Sequence, residues 1–412
     1  MKYTRFTNCH LCDKGRIFKC TDLYVNNELG KIVDKPGDSE NILTEDLSGN
    51  ILAPGFLDIQ NNGLFGFNFT EGKAGESTDD MYRFSLFYKD SLAKYLALGV
   101  TSICPTVTTT KPDIYSSVIP MYKPTRTTEH CDCLGAHLEG PFINPCKKGC
   151  HPENAIIDAK GGYKKISEVY GEENLKKNTR IVTLSPDTPG VLESIPLLVK
   201  DDVVVSIGHT DSDHITALKA LSKGATMVTH LYNAMPQPHH RETGVVGLIT
   251  SPEADETPFF GMITDGIHVS PSMASLAYRG NPEKCIVVSD AMHLIGLPDG
   301  LYEFDERAIE KIGTRLYIKG TTTLAGAATP LPQCMRNLMH WTGISLANAV
   351  KAATNTPAIA INVADKKGFL NKGCDADLVV LNEDGYVQKI YKLGKLVKSN
   401  AENNSAKLSA AL

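Results

Sequence analysis

No apolar stretch of this 412-residue chain is long enough to cross a membrane. The opening residues MKYTRFTNCHLCDKG lack the apolar centre of a secretory signal, so the expected compartment is cytoplasmic. There is no basic stripe: 42 Lys and Arg stand against 47 Asp and Glu, a net charge of −5. Nucleic-acid binding gains no support from that balance. No G-x-G-x-x-G loop follows an apolar run, which argues against a dinucleotide-binding doubly wound sheet. Cys9-x-x-Cys12 has no second pair at zinc-site spacing. The 11 cysteines, an odd number, read as free thiols in a reducing compartment. Without a secretory signal the sequons Asn68-Phe-Thr and Asn403-Asn-Ser mean little. No short-period repeat is present.

What the chain does have is a series of eight apolar, strand-like runs separated by helical stretches. They are Ile51–Ile59, Val100–Val107, Leu134–Glu139, Arg180–Leu184, Val203–His209, Thr226–Leu231, Pro258–Asp265 and Cys285–Asp290. Segments such as MYRFSLFYKDSLAKYLALG and HITALKALSKGA between them are amphipathic. Alternation of strand and helix predicts an α/β fold with parallel strands, and eight units predict a closed (β/α)8 barrel. The barrel is expected over residues 53–362. Residues 1–52 and 363–400, with short alternating runs and glycine turns, are expected to pair into one small β-sandwich domain. Residues 401–412 are expected to be a frayed tail. Enlarged loops follow the first and third runs and suit binding residues or a lid.

Chemistry in such a barrel gathers where the strands end. Glu139, His209, His230 and Asp290 each stand at or near the end of an apolar run. A lone strand-end histidine is usually a structural hydrogen-bonding residue. Two histidines and a carboxylate on three strand ends instead form a candidate metal site, since Zn²⁺ favours imidazole nitrogen and carboxylate oxygen. Asp290 either caps the next helix or takes and returns the proton of a metal-activated water. Beside the other three, the second role is expected. His151, Arg241 and His268 follow strand-like runs in loops. Singly they read as solvated; together they supply cationic donors for an anionic substrate, with Arg suited to phosphate. His239 and His240, beside Arg241, read as loop surface.

The segments APGFLDIQNNG, HLEGPFINPCKKGCHP, SIGHT, THLYNAM, ITDGIHV, VVSDAM and TLAGAA occur in that order. This run closely resembles the N-acetylglucosamine-6-phosphate deacetylase family of the amidohydrolase superfamily, from the PGF-D segment to GCDADLVVL. The resemblance implies a (β/α)8 barrel with a small β-sandwich, a homodimer, and hydrolysis of N-acetylglucosamine 6-phosphate to glucosamine 6-phosphate and acetate. It implies that Glu139, His209 and His230 hold the metal and that Asp290 is general base and acid. It makes His151 the residue that orients the acetyl carbonyl. Asn233, Ala234, Arg241 and His268 match positions that bind the sugar phosphate. Cys150, Asp265 and the Leu324-Ala325-Gly326 loop complete the implied substrate contacts. Part of that pocket is expected from the neighbouring subunit.

Two departures are visible. Amidohydrolases commonly carry His-x-His at the end of the first barrel strand, where this chain has Gln60 and Asn62. Amides are poor ligands beside imidazole, so one divalent ion per subunit is expected, Zn²⁺ first, with iron, cobalt and manganese as alternatives. Ala325 stands where a serine is common. The competing readings are a deacetylase of the galacto epimer and, in a different class, a non-catalytic amidohydrolase-fold scaffold. A scaffold usually loses metal ligands, and this chain keeps them.

Overall fold

The computed structural model describes residues 1–37, 40–71, 78–304 and 307–397. The tail expected to fray, 401–412, lies outside the described residues.

Eight parallel strands form a nearly closed barrel: Phe56–Asn61, Val100–Thr108, Ala136–Glu139, Thr179–Leu184, Val204–Ile207, Met227–Val228, Phe259–Ile263 and Cys285–Val288. Their residues are almost all buried, because a parallel strand in such a barrel is covered on both faces. Each buried Leu, Ile, Val or Phe side chain contributes roughly 1.5–3 kcal/mol. The first and last strands share no ladder. They are bridged where they end, by Asp290 N–H to Gln60 O and Asn62 N–H to Ala291 O, both 2.9 Å. Buried Asp58 strengthens this seam by accepting from the Ser289 hydroxyl at 2.6 Å and the Tyr95 hydroxyl at 2.5 Å. The amphipathic segments are the helices Thr78–Leu96 and His214–Ser222. Asp213 caps the second by accepting from Thr216 N–H at 2.7 Å.

The small domain is built from both chain ends. One sheet has the order Lys31–Val33, Leu23–Asn26, Tyr3–Thr7, Ile42–Asp46. The other runs Lys395–Leu396, Val387–Lys392, Leu378–Leu381, Ile51–Pro54, His10–Asp13, Arg16–Phe18. Phe6 and Tyr391 join the two sheets edge to face at 4.8 Å. The run at 51–59 is therefore not one barrel strand. Ile51–Pro54 pairs with Leu378–Leu381, and only Phe56–Asn61 enters the barrel. The chain changes sheets at Gly55, where an added Cβ would lie 2.2 Å from Thr101 Cγ2.

A buried charge cluster fastens this domain to the barrel. Lys392 Nζ lies 2.7 Å from Asp132 Oδ2 and 2.8 Å from Asp377 Oδ2. Lys367 Nζ reaches Asp377 at 2.6 Å, Asp375 at 2.8 Å, and Asp132. Asp132 itself sits on a short strand paired with the second barrel strand. The sequence reading did not anticipate one further element. A four-stranded antiparallel sheet, Gly300–Phe304, Arg307–Ile312, Arg315–Ile318 and Leu324–Ala327, is inserted between the last barrel strand and helix Leu331–Thr342. Among the described residues, no helix is long and apolar enough to cross a membrane.

Candidate active site

At three strand ends the backbone turns left-handed on a residue that carries a side chain: φ is 48° at His209, 30° at His230 and 42° at Asp290. Such angles are uncommon away from glycine, and they concentrate where geometry serves function. All three side chains line one cavity of about 580 Å³, together with Glu139.

Glu139, His209 and His230 converge there. Glu139 Oε1 lies 3.1 Å from His209 Nε2 and 2.9 Å from His230 Nε2, and the two nitrogens are 3.1 Å apart. Tetrahedral ligands at a zinc–nitrogen distance of about 2.0–2.1 Å stand roughly 3.3 Å from one another, so a small dication fits this triangle with little adjustment. His209 Nδ1 lies 2.8 Å from the Lys147 carbonyl, which leaves Nε2 as the ligating atom. His230 Nδ1 is buried without a hydrogen-bond partner among the described residues. Burial pushes the Glu139 carboxyl up, but hydrogen bonds and charge from His209 and His230 outweigh it and hold it well below the usual carboxylate range. Burial lowers His230, and Glu139 more than restores it, to about 8. A cation therefore competes with a proton at this triangle.

Gln60 and Asn62 present their amide NH₂ groups to the two carboxylates. Gln60 Nε2 lies 3.2 Å from Glu139 Oε1, and Asn62 Nδ2 lies 2.8 Å from Asp290 Oδ1. Asp290 is raised above its ordinary value by burial and then by Glu139. His151 also lines the cavity, its ring centroid 4.4 Å from that of His209. Burial, and then His209, push its pKa down to about 3, so it is neutral. His268 is lowered by burial but raised overall by Asp265, whose Oδ2 is 2.7 Å from His268 Nδ1.

The amidohydrolase family profile matches residues 51–397. The chain belongs to the amidohydrolase family. Amidohydrolases are metal-dependent, and Glu139, His209 and His230 form a candidate metal-binding cluster of this one. A Homo sapiens protein named N-acetylglucosamine-6-phosphate deacetylase is 37% identical over 402 residues, covering 95% of each chain. The crystal structure of the deacetylase of that name from Pasteurella multocida superposes with a TM-score of 0.82 at 27% identity, covering 96% of this chain and 99% of that one. A mutant of the Mycobacterium smegmatis enzyme, in complex with N-acetyl-D-glucosamine-6-phosphate, gives 0.78 at 25% identity, covering 96% and 99%.

In this amidohydrolase the remaining expected residues divide. Cys150, Asn233, Ala234, Leu324, Ala325 and Gly326 line the cavity with His268. Asp265 stands behind His268 and also accepts from the backbone N–H groups of Ile267 and His268. Arg241 is not brought in: it is exposed, with Nη1 2.9 Å from His240 Nε2. Leu324–Gly326 is not a plain loop but the last strand of the inserted sheet. The sequence reading missed Asn68, Thr70, Thr108, Thr109, Thr110, Met292 and His293, all of which line the cavity. Each lies at the end of a strand, just beyond one, or within an enlarged loop, and only that position marked them.

Proposed function

We propose that the chain hydrolyses the N-acetyl group of N-acetylglucosamine 6-phosphate, giving glucosamine 6-phosphate and acetate. The observation that carries this reading is the Glu139–His209–His230 triangle opening on the same cavity as Asp290, His151 and the Asp265-held His268. The deacetylase relatives supply the substrate. Glu139, His209 and His230 would hold a divalent ion, which would supply Lewis acidity and ease deprotonation of the attacking water. Asp290 accepts the proton of the attacking water and returns it to the departing nitrogen, which leaves poorly as an anion. His151 donates to the carbonyl oxygen as charge develops there. His268, favoured in its charged form by Asp265, pairs with the phosphate.

One ion serves each subunit, because Gln60 and Asn62 stand where amidohydrolases commonly place two histidines, amides are poor ligands beside imidazole, and both turn their NH₂ groups to Glu139 and Asp290. Zn²⁺ suits two imidazoles and a carboxylate. Arg241, exposed outside its own cavity, is offered to the site of a second copy, making the enzyme a homodimer with shared phosphate sites. Eleven cysteines without a disulfide suit the cytoplasm. Acetate release from the gluco and galacto epimers of the N-acetyl sugar phosphate tests the substrate. The gluco epimer is expected to give the higher kcat/KM, and a higher value for the galacto epimer would overturn this assignment.

A further inference from the structure

His151 has two ring nitrogens, and only one of them can carry the proton of the neutral ring. Thr109 addresses one of them twice. Its backbone N–H lies 3.3 Å from His151 Nδ1, and its hydroxyl oxygen lies 2.6 Å from the same atom. A backbone N–H only donates, so Nδ1 accepts. The ring proton then sits on Nε2, on the side of the ring away from Thr109.

We propose that Thr109 is a positioning residue that sets the tautomer of His151, so that Nε2–H is the donor presented to the acetyl carbonyl oxygen. This rests on the deacetylase reading above. The opposite tautomer presents a lone pair to the carbonyl oxygen, which repels it and gives the developing negative charge no donor.

The surroundings make the arrangement rigid. Thr109 and His151 are buried, at 2% and 8% exposure. The Tyr115 hydroxyl accepts from Thr110 N–H at 3.2 Å and shares its one proton between the Thr108 and Gly140 carbonyls, at 3.2 and 3.0 Å. Tyr170 donates to the same Gly140 carbonyl at 2.6 Å. An added Cβ at Gly140 would lie 2.1 Å from Thr109 Oγ1, so the hydroxyl packs directly on that backbone. Tyr115 thus ties the Thr108–Thr110 segment to Gly140, and no side chain at residue 140 separates Thr109 from His151.

The test uses metal-loaded enzyme carrying Thr109→Val, Thr109→Ser, His151→Asn, or Thr109→Val with His151→Asn. Thr109→Val is expected to lower kcat about tenfold, with KM and bound metal unchanged. Thr109→Ser, which keeps the hydroxyl, is expected to match wild type to within about twofold. Adding Thr109→Val to His151→Asn is expected to change kcat by less than about twofold, since the two act through one ring. In ¹⁵N-histidine spectra the wild-type His151 is expected to show the Nε2-protonated pattern. A wild-type kcat in Thr109→Val overturns the proposal, as does equal impairment in Thr109→Ser. Full additivity with His151→Asn also overturns it. If Thr109→Val does not fold, the wild-type spectrum decides: an Nδ1-protonated ring overturns the proposal. Wild-type enzyme that releases no acetate would instead fail the deacetylase reading, and the spectrum would still test the tautomer.

Discussion

The Asn62 side-chain amide donates to Asp290 Oδ1 at 2.8 Å, across the seam where the first and last barrel strands meet. This contact aims the proposed acid-base carboxylate and works against the burial that raises its pKa. Asn62→Ala is expected to lower kcat about tenfold while leaving bound metal unchanged. Steady-state kinetics with metal analysis checks this, and an unchanged kcat would remove Asn62 from the mechanism.

Asp290 itself carries the proton in both halves of the proposed reaction. Asp290→Asn keeps the side-chain volume and has no proton to cycle. Turnover is expected to fall by roughly 10²–10⁴ with metal still bound. A wild-type rate in that variant would sink the assignment.

His268 tests the phosphate contact. His268→Ala is expected to raise KM about 10–100-fold for the phosphorylated sugar. Weak turnover of the unphosphorylated sugar should not change. Equal effects on both substrates would place His268 elsewhere in the reaction.

The four residues that meet in the candidate site were legible because they stand where apolar strands finish, and burial of both barrel faces leaves such residues only the strand ends. Glu139, His209, His230 and Asp290 were found in that way. Thr109 was not, because a threonine after a strand looks like every other threonine in a loop. Arg241 was legible by type, yet its chain places it outside its own cavity. The boundary between the small domain and the barrel was hidden inside one unbroken apolar run. Ile51–Pro54 and Phe56–Asn61 are equally buried but belong to different sheets. The inserted sheet at 300–327 escaped because strands such as RAIEKI and RLYI are short and mix charge with apolar residues.

The Asp132–Lys367–Asp377–Lys392 cluster is expected to contribute to acid stability. Burial pushes the Asp377 carboxyl up, but Lys367 and Lys392 outweigh it and hold it far below its ordinary value. Its folded pKa lies below its unfolded one. Its stabilisation is therefore present above the ordinary carboxylate pKa and is lost as pH falls through that value towards the folded one. Asp377→Asn leaves two buried lysines short of a partner and is expected to cost about 3–5 kcal/mol at neutral pH. Thermal unfolding across a pH series checks both statements. The variant should lose less further stability on acidification than wild type, and parallel curves would contradict this account.

The Glu139–His209–His230 triangle is expected to hold a divalent ion needed for deacetylation. The most direct measurement is acetate release from N-acetylglucosamine 6-phosphate by purified enzyme, before chelation, after it, and after adding back one divalent metal. Chelation is expected to abolish release, and the metal to restore it in wild type but not in Glu139→Gln. Release by folded, metal-free enzyme at the untreated rate would contradict it.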